Sequence, residues 1–311
     1  MSMLTNQLML VGGSVGTSYS LPLTSQTGLA AIFGTNTVYG IAWNGTVLCA
    51  VGASSLCATS PDGITWTARP SFASIGNGTA LYIYWNGSVF VAPTSNAASI
   101  VTSPDGATWT YQTNHSLYSG VGQAIVKTGS TYVQVGGVGL CSTSTTLASW
   151  SPTTWFTFAF GLATPYAIAF GASLYCVVGA AGACATSPDG VTWTAQPGFT
   201  TAFGATHIAY AIKWNGSVFC AVGAAGACAT SPDGITWTAQ PGMTGIGYAL
   251  LWSGTLFYRV GALLYTSPDG VTWSKPVNFS LVIGANAAYG VCTFGPNLCI
   301  VGSNGTCITS P

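Results

Sequence analysis

One segment, written three times over, restricts what this chain can become. Residues 210–238 read YAIKWNGSVFCAVGAAGACATSPDGITWT, and close copies start at Tyr39 and Tyr166. Looser copies start at Tyr82, Tyr248 and Tyr289, and a worn one runs from Gln123 to Trp150, with STSTTLASW in place of the SPDGITW stretch. Seven units recurring at about forty residues are the period of propeller blades, in which each unit buries its apolar face only against its neighbours.

Each unit reads as strands separated by turns. YAIKW alternates and runs into Asn-Gly, the strongest short hairpin signal. SVFCAVG is the second strand, Gly-Ala-Ala-Gly a turn, and ACATS the third. Ser-Pro-Asp-Gly closes the next turn, since Pro presets φ, Asp bonds nearby backbone N–H groups and Gly accepts a positive φ. ITWT is then expected as the outer strand, and nothing in the unit has helical period. The prediction is an all-β fold: one domain over 1–311, a seven-bladed β-propeller of four-stranded antiparallel blades. The last unit stops at Ser310-Pro311, where its outer strand should start. A segment within the first ~30 residues, near Tyr19–Leu21, is expected to complete that blade and so remove the open edge.

The same pattern, at SPDGxTW, resembles the Asp-box propellers, whose best-known members are sialidases. The copies are Ser60–Trp66, Ser103–Trp109, Ser187–Trp193, Ser231–Trp237 and Ser267–Trp273. The family box, S-x-D-x-G-x-T-W, has one residue more between Asp and Gly. Short repeats of the present form are similar to those of phage tail and host-recognition proteins. The resemblance implies the propeller fold and a structural role for Asp62, Asp105, Asp189, Asp233 and Asp269.

These are the only carboxylate side chains, because the chain has no Glu, and charged residues are 3% of the sequence. A glycosidase needs two carboxyl groups roughly 5–10 Å apart, and a repeated residue at equivalent corners of different blades does not supply them. The arginine triad and Tyr–Glu pair that the sialidase resemblance implies cannot be assembled from two arginines and no glutamate. The five basic residues, Arg69, Lys127, Lys213, Arg259 and Lys275, are scattered, which excludes the basic patch of a nucleic-acid binder. No apolar run approaches the ~20 residues of a membrane span, so no membrane insertion is expected. The first residues lack the basic and apolar regions of a signal peptide.

His115 and His207 fall between blades, with no acid free to orient them as catalytic bases. No metal spacing and no cofactor motif is present, and neither is expected. Cys49/Cys57, Cys176/Cys184, Cys220/Cys228 and Cys299/Cys307 share one spacing; free buried thiols are preferred, with cross-strand disulfides as the alternative. Asn44, Asn86 and Asn215 lie in Asn-x-Ser/Thr sequences, but each WNG turn needs its Asn-Gly for the hairpin.

The linkers between outer and inner strands carry aromatics that the repeat does not require. Tyr111, His115, Tyr118, Trp155, Phe156 and His207 form a candidate binding face opposite the SPDG turns, with Phe158, Phe160, Phe199 and Phe203 nearby. Filling the gaps between blades is the competing role for these rings. The expected function is non-enzymatic: a structural or binding propeller of a phage virion, in tail, fibre or capsid. Its partners would be other virion proteins or a host-surface protein or glycan. A carbohydrate-binding lectin using the aromatic face is the alternative.

Overall fold

A computed structural model describes residues 21–75, 78–95, 100–112, 122–276 and 278–310. They form seven antiparallel sheets, six of four strands and one of three, arranged as the seven blades of a β-propeller. In blade 1 the strands run Val38–Trp43, Leu48–Gly52, Cys57–Ser60 and Thr67–Ala68, from the central channel outward. In blade 6 the outer strand is reduced to a single bridge between Thr266 and Ser274.

The outer strand is shorter than ITWT because Asp captures the backbone before a ladder can form. Asp62 Oδ1 accepts the N–H groups of Ile64 (2.8 Å) and Thr65 (2.7 Å). The Ser60 hydroxyl accepts the N–H of Gly63 (2.8 Å), and Trp66 Nε1 donates back to the Gly63 carbonyl (3.0 Å). Ile64–Trp66 therefore belong to the turn. Gly63 is required twice: its φ is +74°, and a Cβ there would sit 2.8 Å from Thr309 Cγ2 of blade 7. Blade 3 shows what erosion of the turn costs. Ser144 and Trp150 keep their bonds, but Leu147 takes the glycine's place with φ +67°.

The ring closes as a mixed blade. Thr24–Gln26 pair antiparallel with Cys307–Thr309, Thr24 opposite Thr309, and Gln26 Nε2 donates to Thr309 Oγ1 (2.9 Å). The closing strand lies a few residues beyond Tyr19–Leu21. Tyr19 falls outside the described residues, and Leu21 packs at the rim, bonded to Asn278.

Short helices occupy several linkers: Gly28–Phe33, Pro70–Ser74, Thr154–Phe160, Pro197–Phe203 and Phe279–Ile283. With the single 3-10 turns Ala53–Ser55, Ala180–Gly182, Ala224–Gly226 and Ser303–Gly305, they depart from an all-strand reading. Each helix wedges apolar side chains between blades. Phe199 stacks on Phe203 (4.8 Å) and meets Trp237 of the next SPDG turn edge-on (4.7 Å), and Phe156, Phe160 and Trp193 repeat the arrangement.

The linker between blades 5 and 6 has no helix, and its carbonyls are satisfied from elsewhere. Arg259 sits at the second-strand position filled by Ala50, Val177 and Ala221 in other blades, and is 0% exposed. Its guanidinium donates to the Thr244 carbonyl (3.1 Å) and the Gly245 carbonyl, and lies over the Tyr265 ring (5.1 Å).

Candidate functional site

Each blade's strand order fixes two faces. The Asn-Gly and Ser-Pro-Asp-Gly turns share one; the linkers and the turns after the second strand share the other. On the first, Asn44, Asn86 and Asn215 accept backbone N–H groups two and three residues on, at 2.8–2.9 Å, so these side chains shape their hairpins.

All five aspartates are held in their own turns at the blade corners. Partial burial works against ionisation of Asp62, but two backbone N–H donors and the Ser60 and Thr65 hydroxyls outweigh it and hold the carboxyl below its usual range. The same balance holds for Asp105, Asp189, Asp233 and Asp269. A carboxylate used this way accepts hydrogen bonds and is a poor general acid at neutral pH.

The cysteine pairs are diagonal neighbours rather than directly opposed: Cys49 stands opposite Thr59, and Cys57 opposite Val51. Their sulfurs lie 3.7 Å apart, and the other three pairs lie at 3.7–3.9 Å, against about 2.05 Å for a disulfide. Burial, then the partner thiol, pushes Cys49 well above the usual thiol range. These sulfurs pack blades: Cys57 Sγ contacts the Gly106 carbonyl of the next blade (3.8 Å).

The expected linker face divides in two. Phe156 is 0% exposed and is corrected from a binding residue to an interblade wedge. Residues 154–160 are helical, so 156 and 160 share the inward face while 155 and 158 share the outward one. Trp155 is 60% exposed and Phe158 82%, their rings 5.8 Å apart. The Thr157 hydroxyl donates to the Gly139 carbonyl (2.9 Å), and the Gly139 N–H donates to Ala163 (3.1 Å). That stitching ties Val138, 56% exposed, and Leu162, 76% exposed, to the ends of the same helix, so four exposed apolar side chains stand over the linker between blades 3 and 4. Tyr111 lies apart, on the outer strand Thr110–Gln112 of blade 2. His207 is half-buried; its Nδ1 lies 3.0 Å from the Phe203 carbonyl, bracing the turn after its helix. His115 and Tyr118 lie outside the described residues.

The channel carries a feature that the sequence reading missed. At the start of each inner strand a β-bulge inserts one residue, between Val38 and Gly40 in blade 1 and at the matching place elsewhere. A bulge re-aims a side chain, and here it turns Tyr39, Tyr166, Tyr210, Tyr248 and Tyr289 into the channel mouth on the linker face. Their rings make a continuous arc through blades 4, 5, 6, 7 and 1, with neighbouring centroids 4.5–5.5 Å apart. Burial, then the neighbouring phenols, raises Tyr210 and Tyr289, keeping these hydroxyls protonated as donors. The arc is open at blades 2 and 3, where the equivalent residues are Leu81 and Gln123. Tyr82, the expected start of the blade 2 unit, is one residue out of register, since Tyr84 pairs with Val91 as Lys213 pairs with Cys220. The recurrence of tyrosine at the head of the repeat was the available signal.

No family model matches this sequence, and no curated protein matches it. Solved structures do. YCF48 from Cyanidioschyzon merolae superposes with a TM-score of 0.69 at 14% identity, over 93% of this chain and 98% of that one. A structure of YCF48 bound to D1 peptide gives 0.70 at 15% identity, over 96% and 99%. The WD40 β-propeller domain of Doa1 gives 0.68 at 9% identity, over 95% and 97%. At these identities the likeness is one of fold alone: the chain is a seven-bladed β-propeller.

Proposed function

We propose that this chain is a non-enzymatic binding propeller that docks a protein partner through the patch of Val138, Trp155, Phe158 and Leu162. The observation that carries this reading is a comparison within the molecule. The next linker has the same helix, the same inward phenylalanines and the same stitching of Thr200 to Gly182 (2.8 Å). At the four outward positions it has Ala181, Gly198, Thr201 and Ala205. The fold is therefore built without large apolar groups there, and a clustered exposed aromatic patch is the mark of an interaction surface. The five carboxylates are each engaged at a separate corner, which leaves no pair for bond cleavage.

The setting we propose is a phage particle, in tail, fibre or capsid, with the patch seated on another particle protein or on the host surface. Near-absence of charge favours association over free solubility, and the repeat style is similar to that of phage tail proteins. A propeller of this fold that carries a bound peptide, YCF48 with D1 peptide, supports the docking role. Trp155→Gly with Phe158→Thr copies the neighbouring linker and is expected to keep the melting temperature. Affinity capture from purified particles should then lose the partner that the wild-type chain retains. Equal retention by the double variant would remove the patch from the reading, and binding to a glycan array instead would move the function to a lectin.

A further inference from the structure

The central channel, a cavity of about 680 Å³, lies within the roughly 300–1,000 Å³ range of small-ligand sites. Its lining changes in level along the inner strands. At the linker face stands the tyrosine arc. One level down are small residues such as Gly40, Ala167, Ala211 and Ala249, with Tyr82 the exception. Then comes a ring of aliphatics, Ile41, Ile83, Ile168, Ile212, Leu250 and Val291.

The next level holds two polar groups. Ala42, Val126, Ala169, Leu251 and Cys292 occupy it in five blades, while blade 5 has Lys213 and blade 2 has Tyr84. Blades 2 and 5 stand on opposite walls of a seven-membered ring. Among the described residues lining the channel, Lys213 is the one formal charge and there is no carboxylate. The Tyr84 ring packs with Ile125 and Tyr132 of blade 3, and its hydroxyl is buried. The ammonium is a donor with no carboxylate beside it, so what complements this level is an anionic acceptor. The route to it from the linker face is lined by apolar and aromatic side chains. The tyrosine rings pack against one another rather than leaving their faces free, and the gap in the arc is bounded by Leu81 and the Gln123 amide. From the tyrosine level to Lys213 is three residues of strand, roughly 10 Å at about 3.3 Å per residue.

We propose that the channel is a pocket for a slender carboxylate, its charged end at Lys213 and its body passing the aliphatic ring. A polypeptide C terminus and a free short-chain carboxylic acid share this chemistry. The site is separate from the linker patch, so its failure leaves the docking reading intact.

The test is calorimetric titration of the full chain with hexanoate and with N-acetyl-tetra-alanine, each against its neutral amide. At least one acid is expected to bind at least tenfold more tightly than its amide. Lys213→Ala, which copies Ala42 and Ala169, should remove that preference; Tyr84→Phe and Lys127→Ala should leave it unchanged. Binding of the peptide acid alone assigns the site to a polypeptide end, and binding of hexanoate alone assigns it to a free acid. Equal binding of acids and amides, full acid affinity in Lys213→Ala, or no binding of either acid overturns the proposal.

Discussion

Replacing Arg259 asks whether a buried cation stabilises this propeller or burdens it. Its desolvation opposes folding, and burial lowers the guanidinium's pKa from its usual value. An uncompensated buried ion costs several kcal/mol, and apolar replacement of buried ions is often neutral or stabilising. Here the bonding partners are not charges but the Thr244 and Gly245 carbonyls of a linker without a helix. Orphaning two buried carbonyls costs about 1–3 kcal/mol each, and losing the contact with Tyr265 costs up to about 2 kcal/mol more. The Nε has no partner among the described residues, so the cation is held by a minimal set of bonds. Set against the recovered desolvation, the balance for Arg259→Met is a loss of about 2–3 kcal/mol. Arg259→Ala adds an empty volume on the order of 100 Å³, worth about 2.4 kcal/mol at ~24 cal/mol per Å³. For a chain this long the two losses correspond to melting temperatures lowered by roughly 4 and 8 °C. Thermal unfolding by circular dichroism reads both. A Met variant at or above the wild-type melting temperature would refute the argument, because desolvation would then outweigh the carbonyls.

Acid should act on all five SPDG turns together. Each aspartate has a lowered folded-state pKa, so its contribution is present above the unfolded value of about 3.9 and is lost as pH falls through the folded value. Stability followed from pH 6 to 2 should be flat and then drop below about pH 4, and a drop already complete at pH 5 would contradict this. Repairing the worn turn of blade 3 with Thr146→Asp and Leu147→Gly removes a positive φ from a leucine and restores the carboxylate acceptor. Those gains are worth about 1–2 kcal/mol, but the buried Leu147 side chain is worth about 2–5 kcal/mol; a net loss of about 1–3 kcal/mol in urea unfolding is expected, and a gain would show that backbone strain outweighs the side chain's burial. Phe199→Ala should cost about 3–5 kcal/mol, and Thr201→Ala, on the outward face of the same helix, less than about 0.5 kcal/mol.

The fold was largely legible because Ser-Pro-Asp-Gly and Asn-Gly are local signals, set by the backbone angles of their own residues. Blade number, strand order and ring closure all followed from counting them. The linkers were harder. A helix of five to seven residues is too short for its period to stand out, so Phe156 and Trp155 looked alike in sequence although one is a wedge and the other is exposed. The spacing of Phe156 and Phe160, repeated in Phe199 and Phe203, held the answer. The channel mouth was hidden for another reason: a bulge changes which way a residue points without changing the residue. Tyr210 therefore read as one more member of an alternating strand.

The closing pairing of Thr24–Gln26 with Cys307–Thr309 has a kinetic consequence. Nearly the whole polypeptide lies between these partners, so this contact carries the largest loop entropy in the molecule and is favoured only after the intervening sheets have assembled. Until it forms, the third strand of the final sheet is a bare template for a neighbouring molecule's extended segment. Refolding yield should therefore fall as protein concentration rises, through exchange of this one short strand between copies.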